Sequence, residues 1–285
     1  MAARFDRLIR FKNTAGQIYY GELGLECPAS KETLVGMRVK VFGGGLPWDT
    51  GFQLSSIEEE IDEIICPIPC TPIFQCVGLN YRKHVLEAGF PIDEFPTIFT
   101  KPPDALGGPY EPIPIHASCK FMDYVAELCA IIRKDCKNVI TDEAALSCIL
   151  GYTAGNDISS RYWQMPERCG NQHGPSKSFD KFAPIGPTIL SPRAFQENFN
   201  GLAIKTYVNE DLRQDARTDD HIFTLGKVIC HISRGATLRK GTVIMTGTPA
   251  RVAAFMKPPQ WLKDGDVVTV KVEKIGSISN VMKFE

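Results

Sequence analysis

The feature that most limits what this chain can become is the shortness of its hydrophobic runs. Leu8-Ile9-Arg10-Phe11 and Gln17-Ile18-Tyr19-Tyr20-Gly21-Glu22 are split by the turn signal Asn13-Thr14-Ala15-Gly16. Val39-Lys40-Val41-Phe42 stops at Gly43-Gly44-Gly45, and the run over 73–79 follows Pro67, Pro69 and Pro72. Runs this short between turn residues make strands, because helices need sustained 3.6-residue periodicity. Residues 96–101 (closed by Pro102-Pro103), 125–133, 202–208 (before the turn Asn209-Glu210-Asp211), 243–249 and the alternating 267–272 continue the pattern. Helical spacing is confined to a few stretches. Residues 80–88 stop at Gly89. Residues 142–150 are capped by Thr141 and ended by Gly151. Residues 218–234 start at Asp219-Asp220 and end at Gly235. The reading is a β-rich α+β chain, with a small β-rich region over 1–68 and the larger part over 70–285.

Bulk properties narrow the function. The 285 residues carry 32 Lys+Arg against 33 Asp+Glu, a net charge of -1. No basic stripe points to nucleic acid or a membrane surface as partner. The cluster Glu58-Glu59-Glu60 with Asp62 and Glu63 reads as a solvated face. No apolar run reaches the roughly 18 residues of a membrane span. The amino-terminal segment lacks the apolar core of a signal peptide, so the expected setting is soluble and cytoplasmic. The ten cysteines form no paired CxxC zinc pattern. Cys66 and Cys70 are held apart by Pro67-Ile68-Pro69, and Cys129 and Cys148 read as core thiols.

Chemistry concentrates in a few polar groups. Glu127 precedes the apolar stretch Leu128-Cys129-Ala130-Ile131-Ile132. Alternation in a strand sends Asp123, Val125 and Glu127 to one face. A carboxylate at the mouth of a buried strand is costly unless it is paired or bound to a cation. With Asp157, which ends Gly151-Tyr152-Thr153-Ala154-Gly155-Asn156, it offers two hard oxygen ligands for Mg²⁺ or Mn²⁺. Val125 stands on the same face, where a third ligand is expected. His84 and Glu87 are three apart, the spacing of a carboxylate-held general base or of an ordinary surface pair. Arg161 and Gln164 have the same spacing. They read either as a fork and an amide for a substrate carboxylate or as a solvated loop. Lys177, in Lys177-Ser178-Phe179-Asp180, is placed to meet an anion or lies on the surface. Thr246-Gly247-Thr248-Pro249 offers backbone N–H and hydroxyl donors at a strand end, or is a plain turn. No Gly-Lys-Ser/Thr phosphate loop follows it, and no GxSxG elbow is present.

Taken in order, these motifs resemble the fumarylacetoacetate hydrolase family, especially its acylpyruvate-hydrolase-like and oxaloacetate-decarboxylase-like members. The matching segments begin with Cys76-Val77-Gly78-Leu79-Asn80-Tyr81 with His84 and Glu87, and Phe99-Thr100-Lys101-Pro102. Asp123-Tyr124 with Glu127-Leu128 and Gly151-Tyr152-Thr153 with Asn156-Asp157 follow. Lys177-Ser178-Phe179-Asp180 and Thr246-Gly247-Thr248-Pro249 complete the set. The resemblance covers about 70–285, and the leader is similar to the family's amino-terminal β region. It implies a mixed β-roll or β-sandwich fold, a homodimer, a divalent metal (Mg²⁺ or Mn²⁺) and a small-molecule substrate bearing a 2-oxo or 1,3-dicarbonyl group.

Carried over by residue, the resemblance implies that Glu127 and Asp157 bind metal. His84 and Glu87 activate water or move a proton. Arg161, Gln164, Lys177 and Thr248 hold substrate oxygens, with Lys177 counted among the catalytic groups and Tyr81 among the substrate contacts. The implied reaction is C–C bond hydrolysis or decarboxylation through an enolate. The alternatives are a metal-independent isomerase, dehydratase, decarboxylase or cyclase in specialised metabolism, and a non-catalytic dimeric relative that binds a small molecule. Two departures matter. The family usually has Glu-x-Glu where this chain has Val125-Ala126-Glu127, which predicts a weakened metal site. Relatives place a Gln followed by an aromatic in the loop where this chain has Asn171-Gln172-His173, and His173 is expected to be an exposed loop histidine.

Overall fold

The short hydrophobic runs become strands, most of them joined in a twelve-stranded mixed sheet. The computed structural model describes residues 4–196 and 201–285, so the first three residues of the amino-terminal segment lie outside the described residues. In hydrogen-bonded order the sheet runs Gln53–Glu60, Arg38–Gly43, Ile18–Glu22, Arg7–Lys12, Ala183–Leu190, Ile149–Asn156, Ala126–Ile132, Val243–Met245, Phe74–Gly78 and Thr97–Lys101. Two short strands, Glu63–Ile64 and Leu106–Gly107, join it from the side. Arg7–Lys12 pairs antiparallel with Ala183–Leu190, so the amino-terminal hairpin extends the sheet that carries the site. A second sheet orders Asp211–Arg217, Ala203–Val208, Val267–Val272, Gly276–Phe284 and Ile113–Ile115. Both sheets mix directions: Val243–Met245 runs parallel to Phe74–Gly78, and Gly276–Phe284 parallel to Ile113–Ile115. The β-rich α+β expectation with mixed sheets therefore holds.

Alternation along Ala126–Ile132 sets what each face meets. Leu128 and Ala130 join Ile204, Val270 and Ile278 of the second sheet in one apolar cluster. Cys129 and Ile131 face the other way and pack with Phe74, Cys76 and Met245. Glu127 has the parity of Cys129 and Ile131, so it extends the second of these faces. Gly155 sits opposite Glu127 in the neighbouring strand. A Cβ at Gly155 would lie 2.5 Å from Cys129 Sγ and 3.2 Å from Met245 Cε, so only glycine lets the strands close here.

Helix boundaries differ from the sequence reading at two places. The helix expected to end at Gly151 stops at Leu146, and Ile149–Asn156 is a strand. All eight residues of that strand are buried, so it shows none of the alternation that would separate it from a helix. The long helix expected from 218 is a short turn, Thr218–Asp220, and then Leu225–Ile232 capped by Thr224. Between them, His221 bridges to Tyr81 and the Phe223 N–H donates to Asn80 Oδ1 at 2.8 Å, tertiary bonds that override helical spacing. Arg82–Ala88 forms as expected, with Gly89 in the left-handed conformation at its end. Cys129 and Cys148 are buried free thiols. No helix among the described residues is long and apolar enough to cross a membrane.

Gly155→Ala should cost about 1–3 kcal/mol of stability, the range for overpacking a closed core. Chemical denaturation midpoints measure it, and an unchanged midpoint would show that the strands can part at no cost.

Candidate active site

A cavity of about 510 Å³ opens at the ends of the strands Phe74–Gly78, Ala126–Ile132 and Ile149–Asn156. Val125, Glu127, Asp157, His84 and Lys177 all line it. The Asp157 N–H donates to the Val125 carbonyl at 2.8 Å, which sets the valine and the aspartate side by side just beyond the ends of adjoining strands. Asp123 does not share this wall. The strand is interrupted at Tyr124 and Val125, and Asp123 pairs instead through Met122–Asp123 with Ser159–Ser160. Its carboxylate accepts from Arg161 Nε at 2.8 Å and from the Ala253 N–H at 2.7 Å.

Asp157 is the electrostatic centre. Its Oδ1 accepts from Lys101 Nζ at 2.7 Å, and its Oδ2 accepts from Lys177 Nζ. All three side chains are buried. Lys177 also donates to Ser159 Oγ at 2.7 Å and stands 4.7 Å over the Phe99 ring. Burial alone would raise the Asp157 pKa, but the two ammonium groups outweigh it and hold the carboxyl below its ordinary value. Lys177 shifts down, mainly through burial, against the pull of Asp157. Glu127 shifts well up, through burial first and the Asp157 charge second. Its Oε2 accepts the Gly247 N–H at 2.7 Å. Gly247 has a φ of +102°, and a Cβ there would lie 2.7 Å from Asn80 Cβ. That close approach requires glycine.

The donor set does not fit a tightly held divalent ion. Mg²⁺ wants six oxygens at about 2.0–2.1 Å. Both Asp157 oxygens already accept from ammonium groups, Glu127 commits one oxygen to Gly247, and Val125 offers none. Among the described residues, no three His, Cys, Asp or Glu side chains gather as an ion site. Two carboxylates face two ammonium groups, so a cation entering this wall meets like charge.

Other residues of the cavity wall carry proton-moving and oxygen-binding groups. His84 is buried, with Nδ1 3.2 Å from Glu87 Oε2 and its ring edge-on to Phe255 at 5.4 Å. Glu87 is held in turn by the Arg251 N–H at 3.0 and 3.1 Å. Burial lowers the His84 pKa, with Glu87 acting in the opposite sense. Arg161 Nη1 donates to Gln164 Oε1 at 2.6 Å, while Gln164 Nε2 lies 2.8 Å from His173 Nδ1. Thr248 Oγ1 accepts from Gln214 Nε2 at 3.0 Å, which leaves its O–H free to donate.

Of the residues expected from sequence, His84, Arg161, Gln164, Lys177, Thr248, Glu127 and Asp157 converge on this cavity. Tyr81 does not line it. Its ring is fully buried, edge-on to His221 at 4.4 Å, because the strand-to-helix turn points it into the core. His173 is half-buried in the wall rather than exposed, since Gln164 and Phe99 hold its ring. Lys101 and Gln214 escaped the sequence reading. Lys101 ends a strand before Pro102-Pro103 and reads as a stop signal. Gln214 lies in a polar-looking strand, yet it is fully buried and also takes Thr206 Oγ1 at 2.7 Å.

Comparison with known proteins points to one family. The fumarylacetoacetate (FAA) hydrolase C-terminal family model matches residues 74–283. The chain is similar to the mitochondrial oxaloacetate tautomerase fahd2 of Xenopus laevis, with 38% identity over 217 residues, 76% of this chain and 67% of that one. It is also similar to the fumarylacetoacetate hydrolase domain-containing protein 2 homolog of Dictyostelium discoideum, with 38% identity over 216 residues, 73% and 70% of the two chains. Among solved structures, the 2-hydroxyhepta-2,4-diene-1,7-dioate isomerase of Mycobacterium marinum superposes with a TM-score of 0.80 and 29% identity over 98% of each chain.

Val125→Glu supplies the missing carboxylate and should tighten Mn²⁺ binding by at least about 10-fold. Titration calorimetry on the purified proteins reads this, and equal affinities would contradict the account of the valine. Asp157→Asn strands two buried lysines and should destabilise the fold by about 3–5 kcal/mol, seen as a lower denaturation midpoint. A midpoint within experimental error of the unaltered protein's would remove Asp157 from the centre of the network.

Proposed function

We propose, from the premise that this chain belongs to the fumarylacetoacetate hydrolase family, that it interconverts keto and enol forms of a 2-oxo acid by proton transfer at the carbon next to the oxo group. The observation that carries this reading is His84, buried in the wall of the same cavity as Lys177 and Arg161 and held from behind by Glu87. With Nδ1–H donated to Glu87, the neutral imidazole keeps Nε2 as its basic nitrogen. That nitrogen takes the proton from C3 as the C3–H bond breaks. The electron pair moves through the C2–C3 bond onto the 2-oxo oxygen, and His84 returns the proton to oxygen or to carbon.

The developing negative charge needs fixed donors. Lys177 and the Thr248 hydroxyl supply a charged and a neutral donor in the cavity wall. Arg161 has Nε and Nη1 committed to Asp123 and Gln164, and its Nη2 remains to hold the substrate carboxylate. C–C cleavage would pass through the same enolate. The proton-shift reading is preferred because the relatives are named a tautomerase and an isomerase.

His84→Gln should lower kcat by about 10²–10⁴-fold, followed by decay of the oxaloacetate enol and by solvent deuterium entering C3. A rate equal to the unaltered protein's would take the dyad out of the mechanism. The base must be neutral, so turnover falls as pH drops through the His84 pKa, which lies below the ordinary 6.5. Glu87 raises that pKa, so in Glu87→Gln the acid limb of the pH–rate profile should move further down. Movement upward would contradict the assignment.

A further inference from the structure

Hydrogen-bond polarity fixes the state of His173, a residue that the proton-transfer reading leaves unused. A guanidinium only donates, so Arg161 Nη1 at 2.6 Å requires the carbonyl oxygen of Gln164 to face it. The amide nitrogen of Gln164 must then face His173, and it too only donates. At 2.8 Å, His173 Nδ1 is therefore the acceptor, and the neutral ring carries its proton on Nε2. Adding a proton to Nδ1 would set two donors against each other. Burial and the neighbouring Lys177 also disfavour the charged ring.

His173 is thus a fixed, uncharged N–H donor in the cavity wall. Its ring centroid lies 5.3 Å from that of Phe99, and Lys177 Nζ stands 4.7 Å over the same Phe99 ring. A charged donor, an apolar ring and a neutral donor follow one another. The cavity of about 510 Å³ is in the range that holds drug-sized ligands, far more than a four-carbon acid occupies.

We propose that His173 is a specificity-determining residue that receives an uncharged oxygen acceptor (a carbonyl, ester or hydroxyl) at the far end of a 2-oxo acid substrate longer than four carbons. A distal carboxylate placed there would need a positive partner, but the Gln164 N–H keeps the imidazole neutral, and Lys177 and Arg161 are already paired with Asp157 and Asp123. This inference rests on the reading of the cavity as a 2-oxo acid site.

The test compares oxalate, 2-oxoadipate and the methyl ester of the distal carboxyl of 2-oxoadipate by titration calorimetry. The proteins are the unaltered chain, His173→Phe and His173→Gln. The ester should bind the unaltered protein about tenfold more tightly than the diacid, whose distal charge is desolvated without a positive partner. In His173→Phe ester affinity should fall about tenfold, the worth of one hydrogen bond, and His173→Gln, which keeps an N–H donor, should recover part of it, with oxalate affinity the same in all three. Histidine ¹⁵N spectra should show His173 Nδ1 as the unprotonated nitrogen. A diacid that binds as tightly as its ester, an ester affinity unchanged in His173→Phe, or a protonated Nδ1 overturns the proposal. Failure of the unaltered protein to bind oxalate overturns instead the 2-oxo acid reading, and this inference falls with it.

Discussion

Asp157, clamped between Lys101 and Lys177, is the interaction on which the rest of the site depends. Its three members come from separate parts of the chain: the edge strand Thr97–Lys101, the residue just after Ile149–Asn156 and the short helix Gly174–Lys177. A buried ion triad of this kind is a weak source of net stability, but removing one member leaves charge unpaired. The clamp therefore ties the geometry of the cavity wall to the integrity of the sheet. Val125 beside it completes a wall in which ammonium groups, rather than a third carboxylate, stand next to the aspartate.

Around this centre, each cavity group is oriented by something outside the cavity. Asn80 Nδ2 donates to the Thr246 carbonyl at 2.7 Å, steadying the turn whose Gly247 N–H meets Glu127. Gln214 reaches from the second sheet to Thr248 and to the Pro249 carbonyl at 2.9 Å. Arg251 fixes Glu87, which fixes His84. Asp123 fixes Arg161, which fixes Gln164 and through it His173. Such chains hold donors in place before substrate arrives, which is how a water-excluding site stabilises developing charge without reorganising.

What was legible in the sequence followed from local signals. Turn residues at 13–16 and 209–211 gave the hairpins, Gly89 gave the helix end, and the apolar run after Glu127 marked its strand as buried. The ion clamp was not legible, because Lys101 and Asp157 lie 56 residues apart and a lysine before two prolines looks like a boundary. Residues 147–150 misled because a strand buried on both faces has no period to separate it from a helix. His173 looked like a loop residue. The short helix Gly174–Lys177 and the Phe99 ring that draw it into the wall are set by tertiary packing.

The central claim is that Lys101 and Lys177 occupy Asp157, so that proton transfer rests on the chain's own donors and on His84. Solvent deuterium exchange at C3 of a 2-oxo acid, followed by NMR before and after exhaustive chelation, tests it most directly. The account predicts the same exchange rate in both samples. Exchange that disappears on chelation and returns with added Mg²⁺ would contradict it.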